Sequence, residues 1–260
     1  MPRFWPKMSL FSRLSTRSRS ALRLRVDNVD TLRQGDLREL WELRIEQLPL
    51  KPTVDPEEDF AKFSKIIANA SEVNRVYFGD TLVGMFASWR RDGVVDGKRF
   101  RWIAFEYGAT KPEWRGARAL RLAYLRTVLV NLDLRPGTLH YVGGIGYPIG
   151  AMVVARFGEK THYLGEEVPA EVARIFDIML EELAPEGLDS ERGGVIFPTV
   201  PRPLSEGWLQ RRGEDPSYRR YIALNPNWQE GRGLPVLSKL GPGQTTRAFA
   251  KRLLPGKRTR

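Results

Sequence analysis

The sequence predicts a mixed chain of α/β or α+β class, and three observations carry that reading. The runs Val73 to Phe78 and Thr81 to Trp89 are joined by Gly79-Asp80, a pair suited to a tight hairpin turn. The stretch from Phe100 to Val130 reads as a strand, a short loop carrying Pro112-Glu113-Trp114-Arg115-Gly116, and a helix opening after that glycine. From Leu22 to Leu164 the order is strand, two helices, three strands, helix, strand, helix, strand.

Each element has a local cause. Leu22 to Val26 alternates as a strand should, and Asp36 is placed to cap a helix in which Leu37, Leu40, Trp41 and Ile45 recur until Pro49 stops it. Pro56 opens a second helix with an apolar face of Phe60, Phe63, Ile66 and Ile67; Glu57, Glu58 and Asp59 crowd its first turn, where the helix dipole favours acids. A polar turn is expected through Asp92-Gly93 and Asp96-Gly97 before the strand from Phe100 to Tyr107. Beyond Pro136-Gly137, Thr138 to Val142 reads as a strand, Pro148 to Phe157 as a helix and Thr161 to Leu164 as a strand. Val172, Ile175, Phe176, Met179 and Leu183 form the stripe of another helix, which Ala184-Pro185 ends. Strands are expected at Gly194 to Val200 and Tyr218 to Leu224, with Trp208 and Trp228 packing this later segment on the core.

Charge divides the chain differently. The net charge is +11 over 260 residues, yet all 31 acids lie between Asp27 and Glu230. The two ends are basic and the middle is slightly acidic. Solvated ends are one reading of such blocks, and docking on an anionic surface is the other. Phe4, Met8, Phe11 and Leu14 fall at helical spacing among arginines and serines, as in a basic amphipathic helix lying on lipid; an Arg- and Ser-rich, acid-free start is also of the transit-peptide kind. Nucleic acid is the less favoured partner. Arg247 to Arg260 reads as disordered. No run approaches the roughly 18 apolar residues of a membrane span, and a cytoplasmic location is expected. With no Cys and two His, thiol nucleophiles, Cys-ligated metals and multi-His metal sites are excluded.

Glu106-Tyr107-Gly108-Ala109-Thr110-Lys111-Pro112-Glu113-Trp114-Arg115-Gly116, with the hairpin before it and the strand-helix-strand after it, resembles the central segment of the GNAT (GCN5-related N-acetyltransferase-like) acyltransferases. The resemblance spans about half the chain. It implies an α+β fold with a mixed, mostly antiparallel sheet flanked by helices, carried by residues 22–165. Residues 166–230 are then a C-terminal α/β extension packed on the core, between basic tails at 1–21 and 231–260. In that family the fourth strand splays from the fifth at a bulge, acyl-CoA lies in the gap, and the following loop wraps the pyrophosphate with backbone N–H groups.

The loop here departs from the family pattern of Gln or Arg, two residues, Gly, one residue, then Gly or Ala. Counting from Arg115 puts Arg118 and Leu120 in the small-residue positions, whereas filling the first Gly position with Gly116 puts Glu113 in the Gln/Arg position and Arg118 at the end. Glycine there lets the backbone approach the phosphates without a Cβ in the way. Arg115, Gly116, Ala117, Arg118 and Ala119 are the donor-binding candidates, with Arg115, Arg118 and Arg121 supplying charged donors in place of a glycine cradle; a solvated helix face including Arg126 is the competing reading. The resemblance makes Glu106 the candidate base. It places the usual acid, a Tyr, where Val153 or Val154 stands, and Tyr163 belongs to the next strand, so the acid is unassigned. Gly143-Gly144-Ile145-Gly146 follows a strand without a completed dinucleotide fingerprint and reads as a loop or a close backbone approach.

The expected function is transfer of an acyl group from an acyl thioester, acyl-CoA or acyl-carrier protein, to an amine, with no metal. The alternative is a catalytically inert GNAT-like module docking on membrane or nucleic acid through its tails.

Overall fold

The computed structural model describes residues 22–241 except 116, 134, 185–187 and 190–193, and for Arg118, Leu188 and Asp189 it describes the backbone only. Residues 1–21, with the apolar stripe from Phe4 to Leu14, and residues 242–260 lie outside the described residues. Among the described residues, nine strands form one sheet in the order β1-β2-β3-β4-β5-β9-β8-β7, with β6 also paired to β9. The strands are β1 (Leu22–Asp27), β2 (Glu72–Phe78), β3 (Thr81–Val95), β4 (Lys98–Thr110), β5 (Leu139–Gly146), β6 (Lys160–Tyr163), β7 (Leu188–Asp189), β8 (Gly194–Ile196) and β9 (Arg232–Leu240). All neighbours are antiparallel except β4 and β5. The helices are α1 (Gln34–Gln47), α2 (Pro56–Ile67), α3 (Arg118–Val130), α4 (Pro148–Ala155), α5 (Ala170–Leu183), α6 (Glu206–Arg212) and α7 (Pro216–Leu224). The fold is α+β, a mixed, mostly antiparallel sheet flanked by helices.

Strand alternation sorts the helices to two faces. Leu40 and Trp41 of α1, Phe60 and Phe63 of α2, and Ile175 and Met179 of α5 pack against Trp102, Ala104, Tyr141 and Leu237. On the other face, Leu120, Leu125 and Val128 of α3 meet Val76, Val83, Ile103 and Val142. Beside them, α4, α7 and the 3-10 turn Trp228–Glu230 close over Leu234 and Val236 through Val154, Tyr221 and Trp228. Arg75, 1% exposed, ties β1 and α1 to β2 by donating to Asp27 (2.8 Å) and Asp36 (2.7 Å).

Several expectations change. Asp36 sits inside α1, where its carboxylate accepts the Arg33 N–H (3.0 Å); the cap position belongs to Arg33. The turn between β3 and β4 is Asp96-Gly97 alone, both at positive φ (+50° and +72°), and Asp92-Gly93 lies within the strand. Gly93 is needed there because a Cβ would come within 2.4 Å of the Phe100 ring opposite. Tyr218 to Leu224 is helical, since Asp215 caps and Pro216 opens α7. The strand expected at Gly194 to Val200 is the short β8. Residues 232–240, counted with the basic tail, form β9 between β5 on one side and β6 and β8 on the other. The segment from 166 to 230 is therefore an insertion ahead of the last strand of the sheet. Trp228 is buried as expected, while Trp208 is half-buried, edge-on to Tyr218 at 5.3 Å.

Candidate functional site

The site begins with an interruption in β4. Ala87 pairs with Glu106 and Met85 with Ala109, so Tyr107 and Gly108 together oppose Phe86. That extra residue is a β-bulge, and Tyr107 takes the left-handed conformation (φ +54°) that a side chain other than glycine's rarely adopts. Packing holds it there: its ring meets Phe63 edge-on at 5.6 Å and Trp89 at 6.2 Å. On the other side of β4 the parallel ladder with β5 runs from Phe100 opposite Leu139 to Ala104 opposite Gly143 and stops. Beyond that point the two strands part, as the resemblance implies.

Glu106 stands where they part. Its side chain is 6% exposed, and Oε1 accepts the Ile145 N–H, a donor left without a ladder partner by the splay. Burial pushes the carboxyl up to about 8, only partly offset by that hydrogen bond. Gly144 makes room for it: a Cβ there would lie 2.5 Å from Glu106 Oε1 and 2.8 Å from the Phe105 carbonyl. The Gly143-Gly144 pair is thus a close backbone approach within β5, with Gly143 lying under Leu237 and the Val236 carbonyl.

The donor-binding candidates spread over the loop between β4 and α3. A turn of 3-10 helix spans Pro112–Trp114, and Arg115 follows it, exposed, with Nε 3.4 Å from the Thr110 carbonyl. Partial enclosure of its guanidinium, and then the charge of Arg202, hold Arg115 below its ordinary pKa. Gly116 and the Arg118 side chain lie outside what is described. Ala117 is the N-cap of α3 without a side-chain hydrogen bond, and Ala117 and Ala119 pack beside Leu120 against Val76 and Val83. Leu120 is buried in the sheet at 5% exposure, so that position serves packing. Arg121 is exposed, whereas Arg126 pairs with Glu72 (2.8 Å) and is tied to β2.

No phenol stands at the expected acid position: Val154 is buried under Trp228 and Val153 packs near Phe157. Tyr163 directs its hydroxyl to the Ser217 carbonyl (3.5 Å). Tyrosines that the sequence reading passed over do surround the gap. Tyr124 of α3 stacks on Phe86 (4.1 Å, 9°), and its hydroxyl lies 3.3 Å from where a Cβ on Gly108 would be. Burial first and the Glu106 charge second push it up to about 12. Tyr147, between β5 and α4, donates to the Thr199 carbonyl (2.9 Å) in the insertion. Behind Tyr107, Trp41 and Arg44 of α1 both donate to Asp59 of α2, at 2.7 and 2.8 Å. Helical spacing had assigned Trp41 to a core stripe and Asp59 to an acidic first turn, and nothing in the local sequence marks their pairing across two helices.

No family model and no curated protein matches the chain. Solved structures similar to it include one from Enterococcus faecalis V583 described as a probable N-acyltransferase. It is 17% identical, with a TM-score of 0.39, over 62% of this chain and 43% of that one. A GCN5-related N-acetyltransferase from Kribbella flavida is 16% identical, with a TM-score of 0.38, over 55% of this chain and 34% of that one. An acetyltransferase from Trypanosoma brucei is 17% identical, with a TM-score of 0.39, over 57% of this chain and 99% of that one. The chain spans less than half the length of the first two.

Proposed function

We propose that the chain transfers an acyl group from an acyl thioester, with acyl-CoA as the donor, to an amine. One observation carries this reading: a buried carboxylate, with a pKa raised to about 8, stands where two parallel strands part. A thioester lying in the gap would extend the broken ladder, as the acyl-CoA of GNAT enzymes does, with the N–H groups at the start of α3 and Arg115 toward the phosphates. In the reaction the amine nitrogen attacks the thioester carbonyl, the N–C bond forms and the C–S bond breaks. The amine proton passes to Glu106, and the departing thiolate takes up a proton. Only the ionised carboxylate accepts a proton, so the rate rises with pH through about 8.

The test is thiol release from acetyl-CoA with a panel of amines across pH. Glu106→Gln is expected to lower kcat by roughly 10² to 10⁴ and to abolish the rise near pH 8. Wild-type activity in that variant contradicts the assignment of Glu106. Absence of thiol release at every pH, with acyl-carrier protein thioesters also inactive, favours the inert module, for which the departures in the loop and at Val153 and Val154 speak.

A further inference from the structure

Arg44 is placed for more than holding α1 to α2. Its side chain is 5% exposed and that of Asp59 is 4% exposed, so both charges have been taken out of water. Such a pair is costly unless its remaining donors are satisfied. Asp59 receives one Nη1–H, and among the described residues the other N–H groups of Arg44 have no hydrogen-bond partner. The Arg44 side chain keeps 5% exposure, against 1% for Arg75, whose Nη2 is buried without a partner. The guanidinium lies 5.5 Å from the ring centre of Tyr107 and 5.7 Å from that of Phe63. Tyr107 follows Glu106 directly in the chain. A buried cation with open donors therefore stands beside the bulge, on the sheet face that carries α1 and α2.

The end of the helix that carries Arg44 is also cationic. Arg202, from the insertion, donates to the Glu46 carbonyl at the end of α1 (2.7 Å), and Lys111 approaches the Glu46 carboxylate at 3.8 Å. The charges of Arg115 and Arg202 act on one another. Glu46 and Glu113 are the acids near them, and neither Arg115 nor Arg202 is in an ion pair among the described residues. Two contacts fix the insertion over this place: Lys51 N–H donates to the Pro198 carbonyl (2.9 Å), and Val200 N–H to the Pro49 carbonyl (2.8 Å).

We infer that the acyl acceptor carries a carboxylate, which docks on the unpaired N–H groups of Arg44 while Lys111 and Arg202 draw it in. The acceptor class is then amino acids or compounds bearing both an amine and a carboxylate. A guanidinium offers a planar pair of donors matched to a carboxylate, and an acceptor's carboxylate supplies the hydrogen bonds that the pair with Asp59 leaves unmade. This inference rests on the acyl-transfer reading for the role of the ligand, and not for its binding.

The test measures binding by calorimetry on the full chain, with a panel of N-acetylated amino acids and their amides as product analogues that differ by one charge. Acids are expected to bind roughly tenfold to a hundredfold more tightly than amides. That preference should collapse in Arg44→Met combined with Asp59→Asn, a pair that leaves no buried charge alone. Arg202→Met, which leaves the core intact, should reduce the preference in part and decides the matter if the double variant fails to melt cooperatively. Equal binding of acids and amides, no binding of either, or a preference unchanged in the variants overturns the inference. Acids that bind while acetyl-CoA does not would leave the anion site standing and remove acyl transfer.

Discussion

Glu106 was legible as a strand residue at the start of the segment that carries the resemblance, but its burial was not. Whether a strand carboxylate faces solvent or a gap depends on where the neighbouring strand leaves, and that is set by Gly144, 38 residues further along the chain. The raised pKa has a thermodynamic consequence. A carboxyl whose pKa is raised on folding, here from 4.5 to about 8, contributes fully to stability below the lower value and loses that contribution as pH rises toward the upper one. Glu106→Gln keeps an acceptor for the Ile145 N–H and removes the titration. Between pH 5 and 8.5 the variant is therefore expected to gain on the wild type by roughly 2 to 4 kcal/mol, checked by urea melts over that range. Parallel stability curves for the two proteins would show that Glu106 is not buried as a neutral acid.

At the scale of elements, hairpins and helices with local signals were readable, and elements whose signals conflict were not. Gly79-Asp80 has its Gly at φ +59° and the strands pair on either side of it. Pro56 opens α2 as the sequence indicates, and Asp55 caps it. Tyr218, Tyr221 and Ile222 favour strands, yet the Asp215-Pro216 start overrides them. The bulge has no such signal, because its left-handed residue is Tyr107 and not the neighbouring Gly108. That placement makes a prediction. Glycine in a strand is ordinarily less stable than alanine, but at position 107 the backbone conformation reverses the order. Tyr107→Gly should be more stable than Tyr107→Ala by about 1 kcal/mol, both falling below the wild type through loss of the ring contacts. Denaturant melts of the three proteins measure it, and an alanine variant at least as stable as the glycine variant would mean that the bulge relaxes.

For the whole molecule, the largest misreading was β9. Arg232 and Lys239 count toward a basic end, and Pro235 argues against a central strand. The Pro235 carbonyl accepts the Leu164 N–H (3.0 Å), so the side of the residue that lacks an N–H faces away from β5, between the segments that β8 and β6 cover. The ladder to β5 is spared. Because β9 joins β5 to β6 and β8, a chain ending at Glu230 is expected to lose cooperative melting by circular dichroism, whereas one ending at Gly241 keeps it. Equal melting of the two would mean that the sheet forms without β9. The insertion ahead of β9 brings Thr199 to Tyr147, just beyond β5, and Arg202 to the end of α1, a placement that no local pattern in the sequence announces. The measurement that bears most directly on the function is a calorimetric titration of the full chain with acetyl-CoA. The account predicts saturable binding, retained in Glu106→Gln and weakened roughly tenfold or more in Arg115→Ala through loss of a charge-assisted contact. No heat at millimolar acetyl-CoA from protein that melts cooperatively would contradict it.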